Sequence, residues 1–160
     1  MSKKIQKTNA MRILDQKKIE YRTMTYEVDE GDLSGEHAAE KLGVDPDVVF
    51  KTLVLKGDKT GYIVACIPVR ATLDLKALAA VSHNKSVEMI HMKDLLGVTG
   101  YIRGGCSPIG MKKLFPTYID EKAVGYPEIV FSAGMRGLQI VASPGDLRET
   151  VHAEAAAITV

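Results

Sequence analysis

The chain has 160 residues, of which 46% are hydrophobic and 26% charged, and its formal net charge is +1. These values fit one globular domain over residues 1–160, long enough to bury roughly two-thirds of its unfolded surface. They exclude strong global attraction to nucleic acid. No apolar run approaches the roughly 18 residues of a membrane span, and the basic N-terminus lacks a signal peptide's apolar segment. With only two cysteines, a reducing cytoplasm is the expected location.

In the first third of the chain, capping side chains predict helices, and β-branched or aromatic residues predict strands. In chain order, the predicted elements are a helix over 10–18 capped by Thr8, a strand over 21–27, a helix over 36–42 between Ser34 and Gly43, and a turn over 45–47 with Pro46 at its first helical position.

The next segment, "VVFKTLVLK" over Val48–Lys56, is predicted to be a strand that is covered on both sides. Both of its alternating faces are mostly apolar, which is typical of a buried strand. Lys51 is the exception, because an ammonium is rarely buried without a partner. The pattern of this strand therefore leaves open which group the Lys51 ammonium contacts.

The remaining elements mix strands and helices without a regular βαβ period. They are a hairpin into a strand over 62–69, a helix over 74–81 capped by Asp74, a strand over 86–90, a helix over 91–97 ended by Gly97, a glycine-rich connection over 100–113 with a strand at 101–103, strands over 117–120, 128–134 and 138–142, and a helix over 143–151 capped by Ser143. This order predicts the α+β class with a mixed or barrel-like sheet.

The sequence offers few residues for metal or nucleophilic chemistry. The four histidines are scattered, and none stands at the spacing of a metal motif, so no metal site is expected. Cys106 lies in "GGCSP" near cationic residues that would lower a thiol pKa. It is either a nucleophile or, as is commoner for loop cysteines, a bystander. Cys66 is expected to be a small core residue.

Two glycine-rich loops are candidate binding elements. In "GGCSPIG", Gly104 and Gly105 offer backbone amides that no side chain shields, which suits an oxygen or phosphate. In "FSAGMRG", Ser132 and Gly134 precede Arg136, and a wide hairpin explains this loop equally well.

Charge is unevenly distributed along the chain. Residues 101–115 carry three bases and no acid, whereas residues 26–40 carry six acids. Ordinary solvated charge explains this, and a basic groove at one end of the domain is the alternative.

Four blocks of the sequence occur in the order found in a known family. They are "VDPDVVFKTL" (44–53), "LDLKALA" (73–79), "TGYIRGGCSPIGMKK" (99–113) and "SAGMRGLQI" (132–140). Together they span most of the chain, which resembles the YbaK/EbsC family of free-standing aminoacyl-tRNA deacylases. That family is related to the editing insertion of bacterial prolyl-tRNA synthetase.

The resemblance implies a mixed sheet closed into a partial barrel with flanking helices. It also implies removal of wrongly attached cysteine from proline tRNA, with no cofactor. The family's essential lysine corresponds to Lys51, whose head would meet the phosphate or ribose of the tRNA 3′ end. Tyr26, Gly104 and Ser132 match family pocket positions.

The resemblance completes a predicted site. Lys51, Gly104 and Gly105 form its catalytic part, with the two glycine amides as candidate oxyanion donors. The substrate-binding residues are Tyr26, Thr52, Ser132, Gly134, Arg136 and Gln139. Close relatives can carry an aspartate where this chain has Gln139, which keeps a hydrogen bond but no charge. Phe50 likewise replaces a common tyrosine.

In the mechanism implied by the resemblance, the substrate's own thiol attacks the ester carbonyl. The tRNA 3′ end is then the partner, and prolyl-tRNA synthetase is a candidate second partner. Two alternatives remain open: a water-using deacylase for another small amino acid such as alanine, and a non-enzymatic module that binds a nucleotide or tRNA end.

Overall fold

The described part of the chain, residues 7–160, forms two β-sheets and five short α-helices. The computed structural model describes residues 7–160, so part of the basic N-terminal stretch lies outside it. The strands are β1 (Arg22–Thr25), β2 (Phe50–Gly57), β3 (Gly61–Pro68), β4 (Val87–Met89), β5 (Thr117–Asp120), β6 (Ile129–Met135), β7 (Leu138–Ala142) and β8 (Glu154–Ala156). The helices are α1 (Asn9–Gln16), α2 (Gly35–Leu42), α3 (Leu75–Val81), α4 (Leu95–Thr99) and α5 (Pro144–Val151). This confirms the mixed α+β class.

The larger sheet has the strand order β4-β2-β3-β5-β8, and the smaller one has the order β1-β7-β6. Hairpins make β2–β3 and β6–β7 antiparallel, whereas β3–β5 and β5–β8 are parallel pairs. The larger sheet is therefore mixed, as the irregular order of elements predicts.

Asn84 fixes the turn between β2 and β3. Its Oδ1 accepts hydrogen bonds from the backbone amides of Lys59 and Thr60 at 2.9 and 3.1 Å. A Cβ atom on Gly57 would overlap the Asn84 side chain, so a glycine is needed at the end of β2. Asn84 is 8% exposed, whereas Lys59 and Thr60 are exposed, so this turn is held by partly buried hydrogen bonds.

Apolar clusters cover both faces of β2, as its sequence predicts. Phe50 packs into one core cluster with Ile119 and Phe131, while Leu55 belongs to a second cluster with Ile67. Each face of β2 therefore packs against a different hydrophobic core cluster.

An isolated parallel bridge between Val49 and Val130 links the two sheets. Around it, Val49 and Val130 pack with Val69 and Val141 in a third cluster. Hydrogen bonds between the described strands leave both sheets open, so the expected closure into a partial barrel is not confirmed.

Most predicted caps are confirmed. The side chains of Thr8, Ser34, Asp74 and Ser143 each accept a backbone hydrogen bond at the start of a helix. Gly43 ends α2 with φ of 69°, a left-handed conformation that glycine adopts readily.

The predicted helix end at Gly97 is wrong, because α4 continues to Thr99. Gly100, with φ of 87°, ends the helix, and its amide donates to Leu96 O at 2.8 Å. The Thr99 hydroxyl also donates to Leu95 O. Two glycines near the helix end made the sequence ambiguous here.

The predicted strand at Tyr101–Arg103 is also wrong. The segment instead enters a turn, closed by the Gly105 amide donating to Ile102 O at 3.0 Å. β8 has no sequence prediction, because its three residues are too short to show a period. Within residues 7–160, the helices are all too short or too polar to span a membrane.

Candidate functional site

A cavity of about 350 Å³ opens where the two sheets meet. Its walls come from β2, β6, β7, the start of α2, the segment after β1 and the glycine-rich loop. Six of the nine predicted site residues line it: Tyr26, Lys51, Thr52, Gly104, Ser132 and Gln139. Residues that are distant in sequence thus converge on one pocket of a size suited to a small ligand.

β2 places Lys51 and Thr52 on the cavity wall, opposite Ile67 and Cys66 of β3. Both side chains are half-buried. Among residues 7–160, no ion pair includes Lys51. Its ammonium is therefore available to an anionic ligand in the cavity.

The hairpin of β6 and β7 provides Ser132 and Gln139, which pair directly across the two strands. The Ser132 hydroxyl oxygen accepts a hydrogen bond from the Gly134 amide at 3.1 Å, which leaves its proton free to donate. Gln139 is 5% exposed. Its side-chain amide forms no hydrogen bond with any other residue in the range 7–160. A buried amide at a cavity wall favours a polar ligand group.

Tyr26 follows β1 and is held against the turn between β6 and β7. Its backbone amide donates to Gly137 O at 3.0 Å. A Cβ atom on Gly137, whose φ is 81°, would come within 2.8 Å of Tyr26 O. Glycine at this turn allows the segment carrying Tyr26 to lie close to the β6–β7 hairpin.

The first turn of α2 forms another wall, through Ser34, Gly35 and Glu36. A Cβ atom on Gly35 would overlap the side chain of Val69. Glycine at this position therefore allows the helix to pack directly against the residue that follows β3. This contact brings the first turn of α2 to the cavity, where the Glu36 side chain is exposed.

The two glycines of the "GGCSP" loop differ in the structure. Gly104 lines the cavity with φ of 81°, and its N–H forms no hydrogen bond with any described residue. Gly105 is buried and does not line the cavity. Its amide donates to Ile102 O and so closes the turn. Gly104 is therefore the residue of the pair whose amide can meet a ligand.

Arg136 does not line the cavity, and its contacts instead hold the glycine loop in place. Its Nε donates to Arg103 O at 2.8 Å, next to Gly104. A Cβ atom on Gly105 would lie 3.1 Å from the Arg136 amide nitrogen, so the loop and the β6–β7 turn are in close contact.

Gly134 also lies outside the lining. Its φ is 98°, and a Cβ atom there would come within 2.8 Å of the Tyr101 ring. The Tyr101 hydroxyl donates to Ile109 O at 2.6 Å, and burial raises the pKa of this phenol to about 12. Gly134 accommodates a bulge in β6 and the ring packed against it.

Cys106 lines the cavity, but its environment is that of an unreactive thiol. Burial raises the pKa of Cys106 to about 12, and a hydrogen bond with the Thr99 side chain opposes this only in part. Burial likewise raises the pKa of the 2%-exposed Cys66 to about 12. The nucleophile is the thiolate, so this supports the bystander interpretation of Cys106.

The cavity carries two bases and one acid. Lys51 and Arg103 are the bases, and Glu36 is the acid. None of the ion pairs within residues 7–160 includes any of these three side chains. In the same part of the chain, no three histidine, cysteine or acidic side chains gather into a metal-binding group.

A larger and shallower depression, of about 1010 Å³, lies between α1, β1 and β7. It contains none of the predicted site residues. Its lining includes one base, Arg22, which pairs with Glu128, and the acids Asp15, Glu20, Glu128 and Asp146, so that acids outnumber bases. These carboxylates would repel a phosphate. We therefore take the smaller cavity as the candidate site.

Sequence reasoning missed three polar residues of the cavity: Ser34, Glu36 and Arg103. Arg103 precedes the predicted glycine pair within a basic stretch, which was a usable signal. Ser34 and Glu36 read as an ordinary helix start, and only the packing of α2 against Val69 brings them to the cavity.

The fold and the cavity together define an α+β protein with a pocket of mixed polar and apolar lining at the junction of two sheets. Residues 31–150 match the aminoacyl-tRNA editing domain family. A protein of Enterococcus faecalis, provisionally named Cys-tRNA(Pro)/Cys-tRNA(Cys) deacylase EbsC, is 53% identical over 96% of this chain and 94% of its own. The chain therefore belongs to the aminoacyl-tRNA editing domain family, which confirms the resemblance.

Solved structures show the same fold at lower sequence identity. A crystal structure of a protein described provisionally as a trans-editing enzyme for prolyl-tRNA synthetase has a TM-score of 0.81 and 21% identity, with 95% of each chain covered. A hypothetical protein of known structure has a TM-score of 0.86 and 18% identity, over 96% of this chain and all of its own.

Proposed function

We propose that this chain is a trans-editing deacylase that removes cysteine from mischarged tRNA(Pro), and from Cys-tRNA(Cys) as well. The 53% identity with the Enterococcus faecalis protein supports the substrate. The observation that carries the proposal is the convergence of Lys51, Gly104 and Ser132 on one cavity. An aminoacyl ester needs a cation for its nucleotide and hydrogen-bond donors for its carbonyl, and these residues supply both.

Lys51 would bind the phosphate or ribose of the terminal nucleotide. Since no ion pair within residues 7–160 uses its charge, binding the substrate disrupts no salt bridge of the free protein. Arg103, exposed at the same cavity, adds a second positive charge. Together they would hold the 3′ end in one orientation, which accelerates a reaction within the substrate.

The chemistry then takes place inside the substrate. The cysteine thiol loses its proton, its sulfur bonds to the ester carbonyl carbon, and the bond from that carbon to the ribose oxygen breaks. The ribose oxygen takes up a proton, which yields a cyclic thioester and free tRNA. The Gly104 N–H would stabilise the negative charge that develops on the carbonyl oxygen.

The remaining predicted residues have supporting roles in this proposal. Thr52, Ser132 and Gln139 would hydrogen-bond the aminoacyl group or ribose, and Tyr26 would pack against the substrate. Gly105, Gly134 and Arg136 would act indirectly, because they shape the loop and hairpin beside the cavity and do not line it.

The proposal treats residues 1–160 as one deacylase domain that acts in the cytoplasm, where tRNA is charged. Prolyl-tRNA synthetase is the proposed second partner, since it would supply the mischarged tRNA. The provisional description of the structural neighbour as a trans-editing enzyme for that synthetase is in keeping with this. No metal or cofactor enters the reaction.

A panel of tRNA(Pro) esters tests the proposal. A free thiol is a few per cent thiolate at neutral pH, whereas a serine hydroxyl is almost wholly protonated. Steric fit alone would separate cysteine from serine by roughly 10- to 200-fold. We expect Cys-tRNA(Pro) to be cleared faster than Ser-tRNA(Pro) by more than this factor, and S-methylcysteine to block cleavage while binding persists.

The same panel separates the alternatives. Efficient cleavage of the seryl, alanyl or S-methyl ester would favour a water-using deacylase. Binding of every ester with cleavage of none would favour the non-enzymatic module.

A further inference from the structure

Among residues 7–160, Glu36 is the acid in the lining of the cavity, and its side chain is exposed. It lies in the first turn of α2, where the contact between Gly35 and Val69 holds the helix against the cavity wall. No ion pair within residues 7–160 occupies its carboxylate. An acid beside two bases is unexpected in a pocket for a tRNA end, since it repels phosphate.

The proposed substrate explains this arrangement, because it has one positive group. The α-amino group of an aminoacyl ester is free, and an α-amino group titrates near neutrality. It therefore carries a positive charge in much of the population at physiological pH. The phosphate and the ammonium lie on opposite sides of the ester, so the substrate presents charges of both signs to a cavity whose lining includes two bases and an acid.

We propose that the Glu36 carboxylate binds the α-ammonium of the aminoacyl group, which makes Glu36 a specificity-determining residue. The assignment rests on the proposed function and adds to it the recognition of a free amine. With the ammonium held at Glu36 and the nucleotide at Lys51, the carbonyl between them lies within the cavity that Gly104 lines. An ester without a free amine would keep the contact with Lys51 and lose the contact with Glu36.

The experiment combines one substrate change with one residue change. The substrates are Cys-tRNA(Pro) and the 3-mercaptopropionyl ester of the same tRNA, which keeps the thiol and lacks only the amine. The variants are Glu36→Gln and, as a matched control, Glu40→Gln. Glu40 is an exposed acid one turn further along α2 that does not line this cavity.

We expect the wild-type protein to prefer the cysteinyl ester by about 10- to 150-fold in kcat/KM, the range of a hydrogen bond to a charged group. Glu36→Gln should lose most of this preference. Its kcat/KM for the cysteinyl ester should fall, whereas its kcat/KM for the mercaptopropionyl ester should stay within about twofold of the wild-type value. Glu40→Gln should keep the wild-type preference.

Two results would overturn the assignment. One is a Glu36→Gln protein with wild-type preference for the amine. The other is an equal loss on both esters, which would assign Glu36 a role unrelated to the amine. Thermal melting of both variants shows whether α2 remains folded. If wild-type protein cleaves neither ester, the proposed function itself fails, and the assignment fails with it.

Discussion

Replacing Lys51 with methionine should separate a functional lysine from a structural one. Methionine keeps an unbranched apolar stem of similar length and removes only the ammonium. Lys51 is half-buried and belongs to none of the ion pairs within residues 7–160. Its removal thus breaks no salt bridge, and we expect the free energy of unfolding to change by no more than about 0.5 kcal/mol.

The loss in activity should be much larger. A hydrogen bond between an ammonium and a phosphate or ribose oxygen is worth about 1.5–3 kcal/mol. If that bond is retained in the transition state, kcat/KM on Cys-tRNA(Pro) should fall by roughly 10- to 150-fold. Initial deacylation rates measure this loss, and urea unfolding of the same preparation measures stability.

Lys56→Met is the matched control, since Lys56 lies on the same strand and outside the cavity. Its ammonium is 5.8 Å from the centroid of the Tyr62 ring, a contact worth about 0.5–1 kcal/mol when exposed. This variant should lose at most that much stability and keep its activity. The reasoning is refuted if Lys51→Met retains wild-type kcat/KM, or if it loses activity only in proportion to unfolded protein.

Three further substitutions test the structural assignments. Cys106→Ala should deacylate at nearly the parental rate, because burial raises the pKa of Cys106 to about 12; a loss of roughly a thousandfold would restore it as a nucleophile. Gly134→Ala should destabilise the protein by about 2–4 kcal/mol in urea, since it adds left-handed strain to a clash with the Tyr101 ring; an unchanged midpoint would contradict this contact. Asn84→Ala should cost about 1–3 kcal/mol, because it removes two partly buried hydrogen bonds from the β2–β3 turn, each worth about 0.5–1.5 kcal/mol; calorimetry showing no loss would argue against that role.

Local signals in the sequence were reliable where a single side chain decides the structure. The caps at Ser34 and Asp74 and the left-handed Gly43 followed from residue chemistry alone. The end of α4 did not, because Gly97 and Gly100 both suit a helix end, and the choice depends on contacts around Thr99. The segment Tyr101–Arg103 has residues suited to a strand, but it pairs with none of the strands found among residues 7–160.

The candidate site was predictable to the extent that it lies in recognisable blocks. Lys51 was singled out as a cation in an apolar strand, and it does line the cavity. Gly105 and Gly134 fall in equally glycine-rich blocks, yet their contacts are with protein backbone and with the Tyr101 ring. Glu36 had no distinguishing signal, since its place in the cavity depends on how closely Gly35 approaches Val69.

The bridge between Val49 and Val130 joins the walls of the cavity through a small cluster of valines. Where two strands pair over many residues, backbone hydrogen bonds fix the distance between them. Where the two sheets meet at this single bridge, the volume of the packed apolar side chains sets the distance instead. Adding or removing a methyl group at Val130 or Val141, neither of which lines the cavity, would move Ser132 and Gln139 relative to Lys51. Substitution in this core is therefore expected to change which aminoacyl group the cavity accepts, with the residues that line the cavity left unchanged.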